Sequence, residues 1–172
     1  MKKAVIGCEE WLSIKDLNIP IIKARIDSGA KTSSIQAKNI KKIIKNGETW
    51  VIFDVCPIQD NSSLNVSCES KVIDTRIIRS STGESQKRYV INTNICLGQN
   101  IFKVELTLAE RDGMEYRMLL GREALSNRFL VDSSKRFNYD NYNDDEVLSL
   151  YKHLFKKSSG LNFGNSGTLA RL

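Results

Sequence analysis

Ile21-Ile22-Lys23-Ala24-Arg25-Ile26-Asp27-Ser28-Gly29-Ala30 carries an apolar, partly alternating run straight into an acidic turn, and the fold class depends on how that stretch is read. The alternation over residues 21–26 is that of a β-strand with one buried face. The small residues after Asp27 end the strand in a turn, so the carboxylate stands at the strand's end, in a partly desolvated position. Working outward, the same texture recurs. Residues 49–55 alternate after the turn signal Asn46-Gly47, and further strands are predicted over 70–78, 87–93, 94–97, 101–108 and 117–120. Turns are expected at Ser81-Thr82-Gly83 and Gly98-Gln99-Asn100. Many short strands at this spacing predict an all-β closed barrel or sandwich.

Two helices interrupt the β pattern. A short one is expected over residues 123–127. A second is expected after the barrel, capped by Asn143 or Asp144, with Asp145 and Glu146 at its positive end and Lys152, Lys156 and Lys157 near its negative end. Its apolar stripe is Val147, Leu148, Leu150, Tyr151, Leu154 and Phe155. The Ser-, Gly- and Asn-containing residues 158–172 carry weak patterning and read as a mobile or partner-dependent tail. The domain reading is a β-barrel over 1–137 followed by a C-terminal helix and flexible tail over 138–172.

The 172 residues suit one domain with a real core, and 41% hydrophobic with 27% charged residues is a globular composition. Apolar runs fall far short of the roughly 20 residues that a membrane-spanning helix needs, so no membrane partner is expected. Glu9 and Glu10 break the first apolar stretch before a signal-peptide core forms, which gives a cytoplasmic reading. Cys8, Cys56, Cys68 and Cys96 are widely spaced and read as reduced thiols. With 26 basic against 20 acidic residues the formal charge is +6, which favours acidic partners without selecting one. Lys38, Lys41, Lys42 and Lys45 lack the interleaved aromatic residues of a single-strand nucleic-acid platform and read as a solvated face.

Peptide hydrolysis by carboxylates needs two of them facing one water. Like charges at close range raise one pKa, leaving one acid and one base. The chain contains a single Asp-Ser-Gly segment. A two-fold axis supplies the second carboxylate, because a residue beside the axis meets its own copy. Homodimerisation is therefore a mechanistic requirement of the hydrolytic reading. Taken alone, Asp27 also fits a turn aspartate bonded to nearby amides, and Gly121-Arg122 also fits a strand-to-helix turn with a surface arginine.

Asp27-Ser28-Gly29-Ala30 resembles the active-site signature of retropepsin-like aspartic proteases, and Met118-Leu119-Leu120-Gly121-Arg122-Glu123-Ala124-Leu125 resembles the apolar-Gly-Arg segment and short helix that pack against it. The longer pattern is similar to the bacterial retropepsin-like family labelled ATP-dependent zinc proteases. Its elements here are Gly7, Glu10-Trp11, Ile19-Pro20, the run from Lys23 to Ser34, Arg88-Tyr89-Val90-Ile91, Leu97-Gly98, Glu105-Leu106-Thr107-Leu108 and Phe129-Leu130-Val131-Asp132. The resemblance implies a closed six-stranded retropepsin-like barrel with one or two short helices and Asp27 as the catalytic carboxylate. Ser28, Gly29, Ala30, Thr32, Leu120, Gly121 and Arg122 would support the site, with Ser28 bonding across the dimer and Gly121 letting the chain pass close behind the loop. Ser81, Thr82 and Gly83 would form the tip of a substrate flap. The family's arginine pairs with an acidic residue where this chain has Lys31, so Arg122 needs another partner. The family's association with ATP-grasp ligases that add glutamate implies a functional link to such a ligase and acidic or glutamate-rich peptides as substrates.

Other chemistries find less support. A zinc site needs three or four converging ligands, and His153 is the sole histidine, so no metal or other cofactor is expected. Asp140, Asp144, Asp145 and Glu146 lack the glycine and the spaced glutamate of a calcium loop. Gly29-Ala30-Lys31-Thr32 lacks the earlier glycine of a phosphate loop, and no serine-histidine-acid triad is persuasive. The competing readings are a non-catalytic retropepsin-like binding or adaptor domain and, third, nucleic-acid binding through the basic face.

Overall fold

The computed structural model describes residues 2–79, 82–110 and 114–158. The chain begins with β1 (Ala4–Ile6) and β2 (Glu9–Ile14), makes a 3-10 turn at Lys15–Leu17, and enters the long β3 (Ile19–Asp27). Asn18 takes the left-handed conformation at φ 55° that ends the turn, a conformation asparagine tolerates better than most residues. β4 (Ser33–Gln36), β5 (Lys38–Lys45), β6 (Glu48–Val55), β7 (Val66–Arg79), β8 (Ser85–Leu97) and β9 (Asn100–Ala109) follow. Then come β10 (Met118–Gly121), α1 (Arg122–Leu125), β11 (Phe129–Val131) and α2 (Asp144–Ser158).

The main sheet runs β2-β3-β10-β4-β9-β8-β7-β6-β5, and an added pairing of β2 with β8, Ser13 opposite Cys96, closes its first six strands into a ring. This is the closed six-stranded β-barrel expected, with β7, β6 and β5 continuing outboard of it. Closure removes the open edges of the six strands. Ile22, Ala24, Ile35, Ile91, Ile95, Leu106, Met118 and Leu120 are wholly enclosed and form one core with their neighbours. β1 and β11 form a separate parallel pair, Val5 opposite Leu130. Among the described residues no helix is long and apolar enough to cross a membrane.

Several elements differ from expectation for local reasons. Residues 87–97 form one strand rather than two, because Thr93 and Asn94, which look like a break, are satisfied from outside the strand. Asp16 Oδ2 accepts the Asn94 amide at 2.8 Å and the Thr93 hydroxyl at 3.3 Å. The basic run at 38–45 is itself a strand, β5, with Lys41, Lys42 and Lys45 turned to solvent. It turns back through Asn46 (φ 49°) and Gly47 (φ 76°), the pair of left-handed residues that a two-residue hairpin needs. The short helix starts at Arg122 and ends at Leu125, one residue before the expected start and two before the expected end. β2, β4 and β11 had no strand signal of their own.

On α2, Asn143 and Glu146 cap each other, the side chain of each accepting the other's amide at 3.0 and 2.9 Å. Val147 and Tyr151 are buried and the Tyr151 hydroxyl donates to the Ile21 carbonyl of β3, whereas Leu150 of the expected stripe is exposed. Cys8, Cys56, Cys68 and Cys96 are unpaired. The expectation of a mobile tail falls on residues outside those described.

Candidate active site

Asp27 ends β3 where three strands cross. β10 lies between β3 and β4, parallel to the first and antiparallel to the second, so that Gly121 is opposite Asp27 and Met118 opposite Ile35. The turn joining β3 to β4 is thus clamped by the strand arriving between them. One carboxylate oxygen of Asp27, Oδ1, accepts the amides of Gly29 at 3.0 Å and Ala30 at 3.1 Å. These bonds fix the side chain's rotation while the carboxylate stays partly open to the cleft it lines. A Cβ at Gly29 would lie 3.2 Å from Asp27 Oδ1, so a larger residue there would press on the carboxylate by a few tenths of an ångström.

Gly121 is held more tightly still. A Cβ at this position would meet the Thr32 carbonyl carbon at 2.7 Å and the Ser33 nitrogen at 2.9 Å, both backbone atoms with no room to move. Its amide donates to Ser33 Oγ at 3.0 Å. The amides of Arg122 and Glu123, at the start of α1, donate to the carbonyls of Ala30 (2.7 Å) and Lys31 (3.1 Å). Two of the amides that α1 leaves unsatisfied within itself are thereby spent on fixing the Asp27 loop. Arg122, which lacks the acidic partner found in retropepsins, sends Nη1 to the Ser28 carbonyl at 3.1 Å and, more weakly, to that of Gly29 at 3.5 Å. Lys31 instead faces Glu123 at 3.8 Å across a well-solvated gap.

Asp27, Gly29, Ala30 and Thr32 open onto a cleft of ≈ 1200 Å³, bounded on another side by Arg76, Ile77, Ile78 and Arg79 of β7 and by Arg88 of β8. Leu120 is enclosed behind the loop, and Ser28 is exposed on its rim. The segment read as a flap forms the β7–β8 hairpin. Thr82 and Gly83 belong to its tip, Gly83 at φ 87°, and Ser81 lies outside the described residues.

Sequence reasoning missed Arg76, and it named Ser33, Arg88, Glu105 and Thr107 only as elements of the family pattern, with no role at the site. Thr107 Oγ1 donates to the Ser33 carbonyl at 3.2 Å, tying β9 to the strand that carries the loop. Arg76 donates through Nε to Asp74 and through Nη1 to Glu105, both at 2.6 Å. Glu105 first, then Asp74, pushes the Arg76 guanidinium further above its already high pKa, while Arg76 and the Thr75 amide hold Asp74 below the usual carboxylate range. The signal for Arg76 and Arg88 was countable: six residues to either side of Thr82 in the predicted turn land on them, and they are partners in the β7–β8 ladder. Among the described residues no group of three His, Cys, Asp or Glu side chains could hold a metal ion. Of His153 only the backbone, within α2, is described.

Residues 5–141 match the model of a family described as RimB-like, retropepsin-like aspartic endopeptidase RimB. The chain belongs to the RimB-like family. The six-stranded ring is consistent with that retropepsin-like description. The label of zinc protease gains nothing from the match. Among curated relatives, a protein named "Probable alpha-L-glutamate ligase" from Shewanella pealeana is 54% identical over 162 residues, 94% of this chain and 35% of that protein. One of the same name from Desulfotalea psychrophila is 43% identical over the same shares. The chain thus spans about a third of the length of the curated relatives it matches. A solved structure of a Legionella pneumophila protein of unknown function is similar with a TM-score of 0.68 at 29% identity, covering 80% of this chain and 98% of that one.

Proposed function

We propose that this RimB-like chain is an aspartic peptidase of retropepsin type, acting as a homodimer in which the two copies of Asp27 share one water between them. The observation that carries the reading is the clamped Asp27 loop. Oδ1 is committed to two amides, the turn is fixed from behind by Gly121 and Arg122, and the carboxylate opens onto a cleft large enough for an extended peptide. One Asp27 would take a proton from the water as it attacks the peptide carbonyl. The other would hold the proton that the carbonyl oxygen or the leaving amine needs. Ser28, exposed on the rim, would contact the second copy, and Thr82 and Gly83 would close over substrate. The barrel would comprise residues 1–137 with the segment 138–172 as its appendage, working in the cytoplasm with its four thiols reduced.

The relatives named as glutamate ligases support two refinements. A peptidase region making up a third of a ligase-named protein suits removal of glutamate from acidic peptides, so acidic or glutamate-rich substrates and a functional partnership with an ATP-grasp ligase follow. The same observation favours a second reading, in which the retropepsin-like unit is a non-catalytic adaptor that binds such peptides for a ligase.

The test compares wild type with Asp27→Asn on a peptide library that includes glutamate-rich members, from acidic to neutral pH, with chelator present. Cleavage by wild type alone supports the peptidase. Equal cleavage by both proteins sinks the assignment to Asp27, and loss of wild-type cleavage on chelation revives a metal mechanism. Binding of acidic peptides with no cleavage under any condition leaves the adaptor reading in its place.

A further inference from the structure

Arg76 and Arg88 are directly opposite one another in the antiparallel β7–β8 ladder, so their side chains leave the same face, and both line the cleft that contains Asp27. Like charges placed directly across a strand pair destabilise a sheet. The fold offsets that cost by setting Asp74 and Glu105 on Arg76, while Arg88 Nε donates to Gln86 Oε1 at 2.9 Å and Arg88 has a further interaction of its own. A guanidinium carries five N–H donors in a rigid fork that matches a carboxylate, and the ion pairs of Arg76 use only Nε and Nη1. A local rule broken inside a cleft, with compensation built around it, is the mark of a binding site rather than of a folding element.

We infer that Arg76 and Arg88 together form a carboxylate-binding subsite of the cleft, which selects peptides carrying a carboxylate at the residue that meets the β7–β8 wall. The inference rests on the peptidase reading and adds to it the residues that decide specificity. Asp74 and Glu105 hold Arg76 in place, so Arg76 supplies a fixed charge and Arg88 the matching arm from the facing strand. The carboxylate could belong to an acidic side chain or to a peptide C-terminus, and the probes separate these.

The experiment measures binding to the Asp27→Asn protein, which leaves peptides intact, and to the same protein carrying Arg88→Gln or Arg88→Glu. The probes are an acetylated, amidated hexaglutamate peptide, its glutamine counterpart, and the glutamine peptide with a free C-terminus. Arg88→Gln is expected to weaken binding of the carboxylate-bearing probe by about tenfold or more, the loss of one charge-assisted bond, and so to erase the preference over the amidated glutamine peptide. Which probe loses its advantage names the source of the carboxylate. Arg88→Glu should abolish that preference while affinity for the amidated glutamine peptide stays unchanged, a combination that misfolding cannot produce. Unchanged preference in both variants, or no preference in the Asp27→Asn protein, overturns the subsite. Arg88-dependent binding without any wild-type cleavage keeps the subsite and removes the peptidase. Cleavage with a preference indifferent to Arg88 does the reverse.

Discussion

The floor and the wall of the cleft are built on opposite terms. At the floor, Asp27, Gly121, Thr32 and Ser33 are backbone against backbone, with no space for a methyl group at Gly121 and the surrounding amides spent on one another. At the wall, the outer half of the β7–β8 hairpin is held by its own ladder and by exposed ion pairs, and Ile77 stands 75% exposed. The difference teaches where rigidity is needed. On the proposed reading, a group that would meet a second carboxylate within a few tenths of an ångström belongs on over-determined backbone, whereas a group that would select among peptides can sit on a hairpin supported from one side.

The largest effect that could break this contrast is at Asp27 itself. Asp27→Asn keeps an oxygen to accept the Gly29 and Ala30 amides, so stability should change by less than about 1 kcal/mol, while peptide cleavage falls about 10²–10⁴-fold through loss of acid–base chemistry. Steady-state kinetics and a denaturant curve on the same preparation check both. A fall in stability as large as the fall in rate would show the floor to be a structural turn. Next comes Gly121→Ala, whose Cβ would sit 2.7 Å from the Thr32 carbonyl carbon. The expected cost is about 1–3 kcal/mol of overpacking, with activity lost even where the protein remains folded, because the displaced atoms are those of the Asp27 loop. An alanine at 121 that left stability and activity intact would mean the floor is looser than its distances state.

These two positions also show what was legible in the sequence. Asp27 at the end of an apolar run and a glycine-arginine pair nearly a hundred residues later are local signals, each readable in its own window. The clamp that joins them is not local. β10 is four residues long and its strand character is readable over residues 117–120, but its place between β3 and β4 is not, because no window of sequence contains the gap it fills. β2 escaped notice for a related reason, since Glu9 and Glu10 look solvent-facing yet are buried. Glu9 is met by Arg136, and one oxygen of Glu10 accepts the amides of nearby Gly7 and distant Asn138 while the other is buried with no hydrogen-bond partner among the described residues, so the burial depends in part on partners far along the chain. The turn at Asn46-Gly47 was fully legible, because positive φ at both residues is a backbone requirement that the sequence states outright.

A smaller effect separates the root of the wall from its tip. Cys68, low on β7, is 4% exposed, and burial first, then Asp54, pushes its thiol from 9.0 up to about 12. Tyr151, buried where α2 meets β3, is shifted upward by the same desolvation. Above pH 9 the unfolded chain therefore gives up a Cys68 proton that the folded chain retains, and stability falls as the pH rises toward 12. The slope for one such group is at most about 1.4 kcal/mol per pH unit. Urea unfolding between pH 8 and 11 should show the decline, and Cys68→Ala should remove the part that begins near pH 9, leaving the part due to Tyr151 above pH 10. Native alkylation at pH 8 should modify the half-exposed Cys8 and Cys96 before Cys68. Rapid labelling of Cys68 would mean that the root opens as readily as the tip.

The smallest expected effect lies outboard, where β5, β6 and β7 are bridged by Lys71 to Glu48 at 2.5 Å and by Lys45 to Glu69. The side chains of Lys71 and Glu48 are each 49% exposed, so water and salt screen their attraction, and holding two long side chains together costs rotamer freedom. Lys71→Met should alter stability by less than about 0.5 kcal/mol and leave peptide selectivity untouched, since Lys71 is not among the cleft residues. Its effect should vanish in 0.5 M salt, where charges this far into solvent no longer sense each other. The arginine pair differs from these lysines in place, because Arg76 and Arg88 line the Asp27 cleft and are opposite one another in the β7–β8 ladder. A Lys71→Met change as large as Arg88→Gln in peptide binding would mean that selection follows overall positive charge, and the wall would lose its claim to a defined subsite.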